Sequence, residues 1–422
     1  MGGGIARPDH EVRKLNFWLL SLNLILRRLG WIFKTESVIM PGFLLNLTPS
    51  GAVRGLLPLI SNLARGIPQL LLAHAISARP VKKWIFTWVS LGLAVPWGFI
   101  ASLIWLLPDR KAALLYGFLL AYGFNFVALG CVNLMGGTMQ GKLIPAQMRG
   151  RLVGISSFLG CILASFAAYL LMPGWLRRGL IGYAFIFGTT SLFFTLSALV
   201  ILPIDEWREK RVKRETGVLR FTLDSIKLIF KDGNFRRFMY AVWLLQTNSI
   251  IFPHYTAYGR TKLGVSAVSY MLFVVVQNLS NAFNSLLMGN LADRKGNRLA
   301  LKLLMSMIAS IPLITILLGS LPEGKGAELF FIVYICIGFT PMAQRLLVNY
   351  LLELSPMRQH PQYLGAMNLL RLLPIFLSPA VGWMIDLLSY EAAFLLTSGL
   401  TFYGAWMISR VDEPRLKGGG DR

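Results

Sequence analysis

The chain consists mainly of long apolar runs separated by short polar segments. Each run is continuously apolar, whereas the strands of a membrane barrel alternate polar and apolar side chains and are about half as long. A helix needs about 20 mostly apolar residues to cross the bilayer core. We therefore predict an all-α polytopic membrane protein with twelve transmembrane helices. They lie at residues 28–47, 54–77, 82–107, 112–139, 151–172, 178–203, 237–257, 266–290, 298–320, 327–353, 362–386 and 390–409.

The start of the first helix has two interpretations. Residues 15–26 are also apolar, but Arg27, Arg28 and Lys34 follow them. Either one long helix begins near Asn16, or an interfacial helix precedes the first span. We assign residues 1–27 to a cytoplasmic N-terminus that contains one of these two features. It has no small-residue cleavage pattern and is typical of a retained signal-anchor.

The composition places the apolar residues in lipid. Hydrophobic residues make up 55% of the chain and charged residues 14%, whereas a soluble domain carries about 25% charged residues. Disordered and nucleic-acid-coating proteins need low hydrophobicity and dense charge, so both classes are excluded. The expected surroundings are a lipid bilayer, and no nucleic-acid partner is expected.

The positive charge indicates the orientation. The chain has 42 Lys and Arg against 19 Asp and Glu, a formal charge of +23. Residues 204–237 hold ten basic and six acidic residues, and basic segments remain in the cytoplasm. The short loops on that side hold eleven basic residues, against about eight on the other side. We therefore expect both termini, including a tail at 410–422, and the 204–237 loop to be cytoplasmic.

The residues that usually carry catalysis or bind metals show no pattern. Cys131, Cys161 and Cys336 lie singly inside apolar runs, and the four histidines are scattered without ligand spacing. Nucleophile-elbow, Walker and paired-metal motifs do not occur. The sequence predicts no metal, no cofactor and no catalytic residue.

Self-similarity at a spacing of 216 residues relates the two halves. Asn62 matches Asn278, Asn133 matches Asn349, and Pro145 matches Pro361. Six predicted helices separate the partners, so the copies have the same membrane orientation. Such a parallel repeat is typical of transporters.

One loop carries a family resemblance. Between predicted helices 8 and 9, the segment 289–298 resembles the signature loop of the major facilitator superfamily. The matching residues are Gly289, Leu291, Asp293, Arg294, Gly296 and Arg298. The resemblance implies that this loop locks a cytoplasmic gate, and that Glu353 pairs with Arg294 or Arg298. The first-half copy is degenerate, with Ser77 in place of the aspartate.

Two further segments support the resemblance, the turn at 145–151 and the end of helix 11 at 382–386. The family implies a monomer with a six-helix bundle at 28–203, a second at 238–409 and a central cavity that opens alternately to each side. The arginine in helix 4 and the glycine-proline pair in helix 5 of drug–proton antiporters are missing, and so are the sugar-porter signatures. The absence of an organelle address fits a bacterial inner membrane.

Ionisable groups in the bilayer are costly and are therefore functional candidates. They are Glu36, Arg65, Arg345 and Arg371. A carboxylate at the depth of Glu36 can be a proton or cation site, because burial favours its neutral form. It can equally form an ion pair with Arg65 or Lys34.

Arg345 shares a helix face with Asn349 and suits an anionic substrate group. Its alternative is an ion pair with Glu353 or Glu36. Neutral hydrogen-bonding candidates are Asn133, Gln246, Asn248 and His254, although such side chains also join membrane helices without contacting substrate.

These observations predict a secondary transporter for a small-molecule substrate, with proton coupling as one option. The alternatives are a lipid-handling, flippase-like protein or a membrane-embedded enzyme, and a scaffold that keeps the fold without transport. An enzyme needs a convergent cluster of acid, base or nucleophile, and the sequence offers none.

Overall fold

The computed structural model describes residues 10–77, 79–208, 227–322, 324–356 and 359–412, and these residues form helices and connecting turns without a strand. The helices are α1 His10–Ile32, α2 Ile39–Leu47, α3 Gly51–Ser77, α4 Lys83–Leu106, α5 Lys111–Leu143, α6 Ala146–Leu176, α7 Leu180–Leu199, α8 Gly233–Thr261, α9 Ser269–Lys295, α10 Asn297–Gly319, α11 Lys325–Leu329, α12 Phe331–Ile337, α13 Thr340–Leu354, α14 His360–Leu370, α15 Ser378–Leu387 and α16 Tyr390–Ile408, with a 3₁₀ helix at Leu373–Leu377.

The all-α membrane prediction is confirmed. Every predicted span coincides with one helix or with a series of shorter helices. Eight helical stretches among the described residues are long and apolar enough to cross a membrane. Large apolar side chains such as Trp88, Leu106, Leu120 and Phe283 are more than half exposed, as lipid-facing residues are.

The first span is discontinuous. Helix α1 begins at His10 and ends at Ile32, and the chain turns through residues 33–38 before α2 begins at Ile39. Arg27 and Arg28 therefore lie within a helix and not before it. Lys34 and Glu36 lie in the turn, where the backbone leaves the helical hydrogen-bond pattern.

Spans 10 and 11 each consist of several short helices, although the residues that link them keep right-handed helical dihedral angles. The tenth consists of α11, α12 and α13, and the eleventh consists of α14, the 3₁₀ helix and α15. Arg371 caps the end of α14, and the indole of Trp243 in α8 donates a 2.7 Å hydrogen bond to the Leu370 carbonyl beside this break. Carbonyls released at a helix end need such partners when they are away from water.

The chain forms two compact units. Unit 1 contains residues 1–34, 64–167 and 181–215, and unit 2 contains residues 35–63, 168–180 and 216–422. Aromatic rings pack at the centre of unit 1, among them Trp97, Phe118, Tyr122 and Phe187. Unit 2 has a comparable cluster, in which the rings of Phe273 and Tyr334 stack 4.4 Å apart.

A buried carboxylate holds the beginning of α4 in unit 1. Glu206 accepts hydrogen bonds from the backbone N–H groups of Lys82, at 3.0 and 2.8 Å, and of Lys83, at 2.6 Å. It also forms a 2.7 Å ion pair with Lys142 of α5, and both side chains are at most 2% exposed. The carboxylate thereby satisfies N–H groups at the α4 N-terminus and compensates a buried ammonium.

Within unit 2, the beginning of α3 crosses α15 at very short range. A Cβ atom on Gly382 would overlap the Gly51 carbonyl oxygen, and one on Gly55 would overlap the Ser378 carbonyl oxygen. Asp386 caps α3, because its carboxylate accepts from the Gly51 N–H at 2.7 Å and from the Ala52 N–H at 3.2 Å. Small residues thus permit backbone contact, and an acidic side chain lies at the positive end of a helix.

Helix α2 is held against α8 in the same unit. The Thr256 hydroxyl donates to the Ser37 carbonyl at 2.6 Å, and Arg260 donates to Asn46 at 3.0 Å. The turn after α1 is therefore fixed by side chains more than 200 positions away in the sequence.

Candidate functional site

A cavity of about 280 Å³ lies inside unit 1, between α1, α4, α5 and α6. Its polar wall contains Asn23 and Arg27 from α1, together with Asn133 and Gln140 from α5. Arg27 is half-buried and donates a hydrogen bond from Nη2 to Asn133 Oδ1 at 3.2 Å. Asn133 was a candidate from sequence, and the structure brings it together with an arginine that we had placed before the first span.

A buried lysine lies where α1 ends. Lys34 is fully buried, and its ammonium donates to Asn125 Oδ1 at 3.0 Å. The ammonium also lies 3.6 Å from the ring centroid of Trp31, 4.9 Å from that of Phe126 and 5.3 Å from that of Trp97. Ring faces carry negative charge and stabilise a cation that has lost water, which accounts for an ammonium at this depth.

Arg65 lies beside the same aromatic cluster. Its guanidinium carbon is 5.0 Å from the Phe126 ring centroid. Helices α3 and α5 approach closely there, because a Cβ on Gly130 would overlap the Arg65 carbonyl oxygen. Glu36 is half-buried in the turn between α1 and α2 and not inside a continuous helix. Its proposed roles as a proton site and as an ion-pair partner both stay predictions.

In unit 2, Arg345 and Asn349 lie one turn apart on α13 and are both exposed, as their four-residue spacing predicts. Arg345 donates to the Ser285 hydroxyl of α9 at 3.3 Å. Arg371 is half-buried beside the break of the eleventh span. The two arginines therefore lie on different helices, and their role in substrate binding stays a prediction.

The candidates of α8 are buried. Gln246, Asn248 and His254 are 6%, 1% and 0% exposed. Asn248 donates to the Ile308 carbonyl of α10 at 3.3 Å, which is the contact of a side chain that joins helices. Neither ring nitrogen of His254 has a hydrogen-bond partner among the described residues.

The signature loop forms a one-residue connection between α9 and α10. Gly296 ends α9 and precedes α10, and its φ of 93° is accessible to glycine at little cost. Gly289 and Leu291 lie earlier in α9, and Gly289 has no atom within 4 Å of its Cβ position. Close helix approach therefore does not explain Gly289.

The charged residues around this loop are only partly described. Arg294 is exposed, Arg298 donates to the Val411 carbonyl at 3.0 Å, and Glu353 is half-buried at the end of α13. The side chain of Asp293 lies outside the described part of the structure. The expected lock between Glu353 and Arg294 or Arg298 stays a prediction.

Sequence reasoning missed Arg27, Lys34 and Asn125 as candidates. Arg27 was left at the end of the N-terminal segment 1–27, and Lys34 was considered only as an ion-pair partner of Glu36. The apolar stretch at 15–26 was the available signal for Arg27, because a helix that includes this stretch also contains Arg27. Asn125 had no signal, since an amide in an apolar run is recognised only when its partner is known.

The helices, the apolar exposed surface and the polar groups inside unit 1 define a class, the polytopic membrane transporters. The sequence model of the Major Facilitator Superfamily matches residues 35–379. The chain therefore belongs to the Major Facilitator Superfamily. It is an integral multi-pass membrane protein and a secondary transporter.

Solved structures share this fold at low sequence identity. The nucleoside transporter NupG, in a mutant form, superposes with a TM-score of 0.72 at 13% identity, covering 94% of this chain and 100% of that one. A D-xylose–proton symporter gives 0.69 at 14%, covering 94% and 98%. An autoinhibited POT-family peptide transporter gives 0.66 at 12%, covering 94% and 96%. No curated protein matches the chain significantly.

Proposed function

We propose that the protein moves a small solute by alternating access, with bundles 28–203 and 238–409 rocking about the solute and the cytoplasmic segment 204–237 joining them. The supporting observation is the interruption of the first span by the turn at residues 33–38. Transporters typically form binding sites at interrupted helices, because the unwound backbone and the helix ends expose polar groups to a solute or ion. The proposal includes no covalent step.

Transport is coupled to protons in this proposal, and Glu36 is the coupling residue. Its position in the α1–α2 turn supports the role, because a turn can absorb a change of backbone dihedral angles that a continuous helix resists. One of the structural neighbours is itself described as a proton symporter.

The test is solute flux into liposomes that contain the purified protein, with and without an imposed pH gradient. Uridine, D-xylose, a dipeptide, succinate and a fluorescent phospholipid serve as probes, the last for the lipid-handling alternative. We expect gradient-driven flux of one water-soluble probe and loss of the gradient dependence in Glu36→Gln. The control is Glu328→Gln, the same change at an exposed residue of α11.

Two results separate the parts of this proposal. Flux that does not depend on the pH gradient would mean that the protein is a facilitator and that Glu36 has no coupling role. If only the phospholipid is transported, the protein handles lipids and does not transport a water-soluble solute.

The cytoplasmic gate is a second part of the proposal. Glu353 at the end of α13 pairs with Arg298 at the beginning of α10 when the cytoplasmic side is closed. Single substitutions Glu353→Arg and Arg298→Glu then reduce flux, and the double exchange restores it. Failure of the double exchange to restore flux contradicts the pair.

We also propose a bacterial inner membrane location, a monomer and cytoplasmic termini. The basic segment 204–237 supports the orientation. Single cysteines placed at positions 2 and 420, in a protein without its three native cysteines, should react with impermeant reagent only after the membrane is opened. Light scattering of the detergent-solubilised protein measures its oligomeric state.

A further inference from the structure

The polar wall of the cavity in unit 1 is positively charged. Among the described residues that line it, Arg27 is the charged one, and Asn133 and Gln140 add neutral polar groups. Its other wall is apolar and includes Phe86 and Leu152. A cation beside an apolar wall attracts an anion more strongly than it would in open water, because the local dielectric constant is lower.

The hydrogen bond to Asn133 orients the guanidinium of Arg27, and the remaining N–H groups of the guanidinium can donate to a ligand. Its bond to Asn133 Oδ1 uses one of five N–H donors. The same bond leaves the Asn133 amide nitrogen as a donor beside the guanidinium. Two parallel N–H groups match the two oxygens of a carboxylate or phosphate.

Two glycines of α5 keep space open next to this arginine. A Cβ on Gly136 would lie 3.8 Å from Arg27 Nη1, and a Cβ on Gly137 would meet no atom within 4 Å. Glycine weakens a helix relative to alanine, and no close helix contact accounts for Gly137. The missing side chain leaves free volume in the cavity that Arg27 also lines.

We propose that this cavity binds an anionic group of the transported solute, a carboxylate or a phosphate, with Arg27 as its main ligand and Asn133 and Gln140 as neutral donors. The proposal rests on the transporter function proposed above and narrows its substrate class. A volume of about 280 Å³ is near the lower end of ligand pockets, so the group belongs to a small molecule.

The charge of the cavity can be measured without knowing the solute. Gly137→Cys, with Cys131, Cys161 and Cys336 replaced by serine, places one thiol in the cavity. Its reaction rates with an anionic and a cationic methanethiosulfonate give a ratio that reports the local potential. A unit charge about 8 Å away changes this ratio about fivefold at the dielectric constant of water, and more in a lower one. Arg27→Gln should reduce the ratio accordingly.

Arg28→Gln is the matched control, because it removes the same charge one residue later. The Arg28 side chain leaves α1 toward α6, where its Cβ lies 3.1 Å from the Cβ position of Gly160. It should change the ratio less than Arg27→Gln does. An unchanged ratio in Arg27→Gln, or equal effects of the two variants, overturns the proposal.

Protection of the same thiol identifies the anion. Succinate and inorganic phosphate are added separately, with erythritol as a neutral probe. Protection by succinate assigns a carboxylate, and protection by phosphate assigns a phosphoryl group. Absence of protection by both anions, or equal protection by erythritol, overturns the assignment.

Filling the cavity supplies an independent check. Gly137→Leu should abolish stabilisation of the protein by the protecting anion in a thermal-shift measurement. Gly154→Leu places the same side chain at an exposed α6 glycine with no atom within 4 Å, and should leave the stabilisation unchanged. Equal stabilisation in both variants contradicts a site at Gly137.

The outcomes also separate this inference from the transporter function. If the protein transports a neutral solute and Arg27→Gln does not change that flux, the transporter function stands and the anion site is wrong. If an anion protects the thiol but no probe is transported, the anion site stands and the transporter function is wrong.

Discussion

The contact between α3 and α15 makes Gly382→Ala the most informative single substitution in unit 2. The new Cβ would lie 2.6 Å from the Gly51 carbonyl carbon and 2.9 Å from the Ala52 Cα, whereas ordinary contacts are 3.4–4 Å long. These two atoms and the Gly51 carbonyl oxygen are all backbone atoms, so no side-chain rotation can relieve the overlap. The two helices must separate by about 1 Å, a displacement typical of overpacked sites.

That displacement has a second cost at the Asp386 cap. The 2.7 Å bonds from the Gly51 N–H to the Asp386 carboxylate would lengthen beyond hydrogen-bonding distance. Hydrogen bonds to charged groups contribute about 1.5–3 kcal/mol, and overpacking costs about 1–3 kcal/mol. Together these costs give an expected loss of about 2.5–6 kcal/mol in this contact for Gly382→Ala. A loss of about 2.5 kcal/mol raises the population in which the contact is open about 70-fold.

Hydrogen–deuterium exchange of a peptide covering residues 49–56 measures this opening, and thermal unfolding in detergent measures the total stability. Gly399→Ala is the control, since Gly399 lies in α16 of the same unit with no atom within 4 Å. That variant should be neutral or up to about 1 kcal/mol more stable. Exchange at 49–56 that is equally slow in both variants would refute the argument from backbone contact.

Three further substitutions test individual interactions through thermal unfolding. Asn125→Ala should cost about 1–3 kcal/mol, because the buried Lys34 ammonium loses an acceptor; unchanged stability would mean that the ring faces suffice. Glu206→Gln should cost about 3–5 kcal/mol, since it leaves a buried ammonium without its carboxylate; a cost below 1 kcal/mol would indicate that water reaches the pair. Gly296→Ala should cost about 1–2 kcal/mol because of its positive φ. Gly289→Ala, inside α9 with open space at its Cβ position, should be neutral or up to about 1 kcal/mol more stable; equal effects would contradict the assigned turn.

The sequence predicted the fold because the bilayer imposes a simple rule on it. A continuous apolar run must be a helix, since its backbone groups have no other partner in lipid. That rule predicted the all-α fold, and each predicted span coincides with one helix or a series of helices. It left the beginning of the first span open between Asn16 and residue 28, because Arg27 and Arg28 interrupt the apolar run. Arg27 and Lys34 remain inside since Asn133, Asn125 and several aromatic rings solvate them.

The candidate site was harder to predict for the same reason. The partners of Arg27 and Lys34 lie about 100 positions away in the chain and have no pattern of their own. Asn133 was found through its repeat partner Asn349, which is a relation between the halves and not a contact. Long-range pairing therefore limits what one sequence can show about a membrane site.

The buried carboxylate of Glu206 has a practical consequence for dividing the protein into two co-expressed fragments. The last predicted helix of the first half ends at residue 203, which is the obvious place to cut. A cut there transfers Glu206 to the other fragment, away from the α4 N-terminus and from Lys142. The first fragment should instead end after residue 208. Although it lies beyond the last membrane helix, Glu206 is a structural part of the first half.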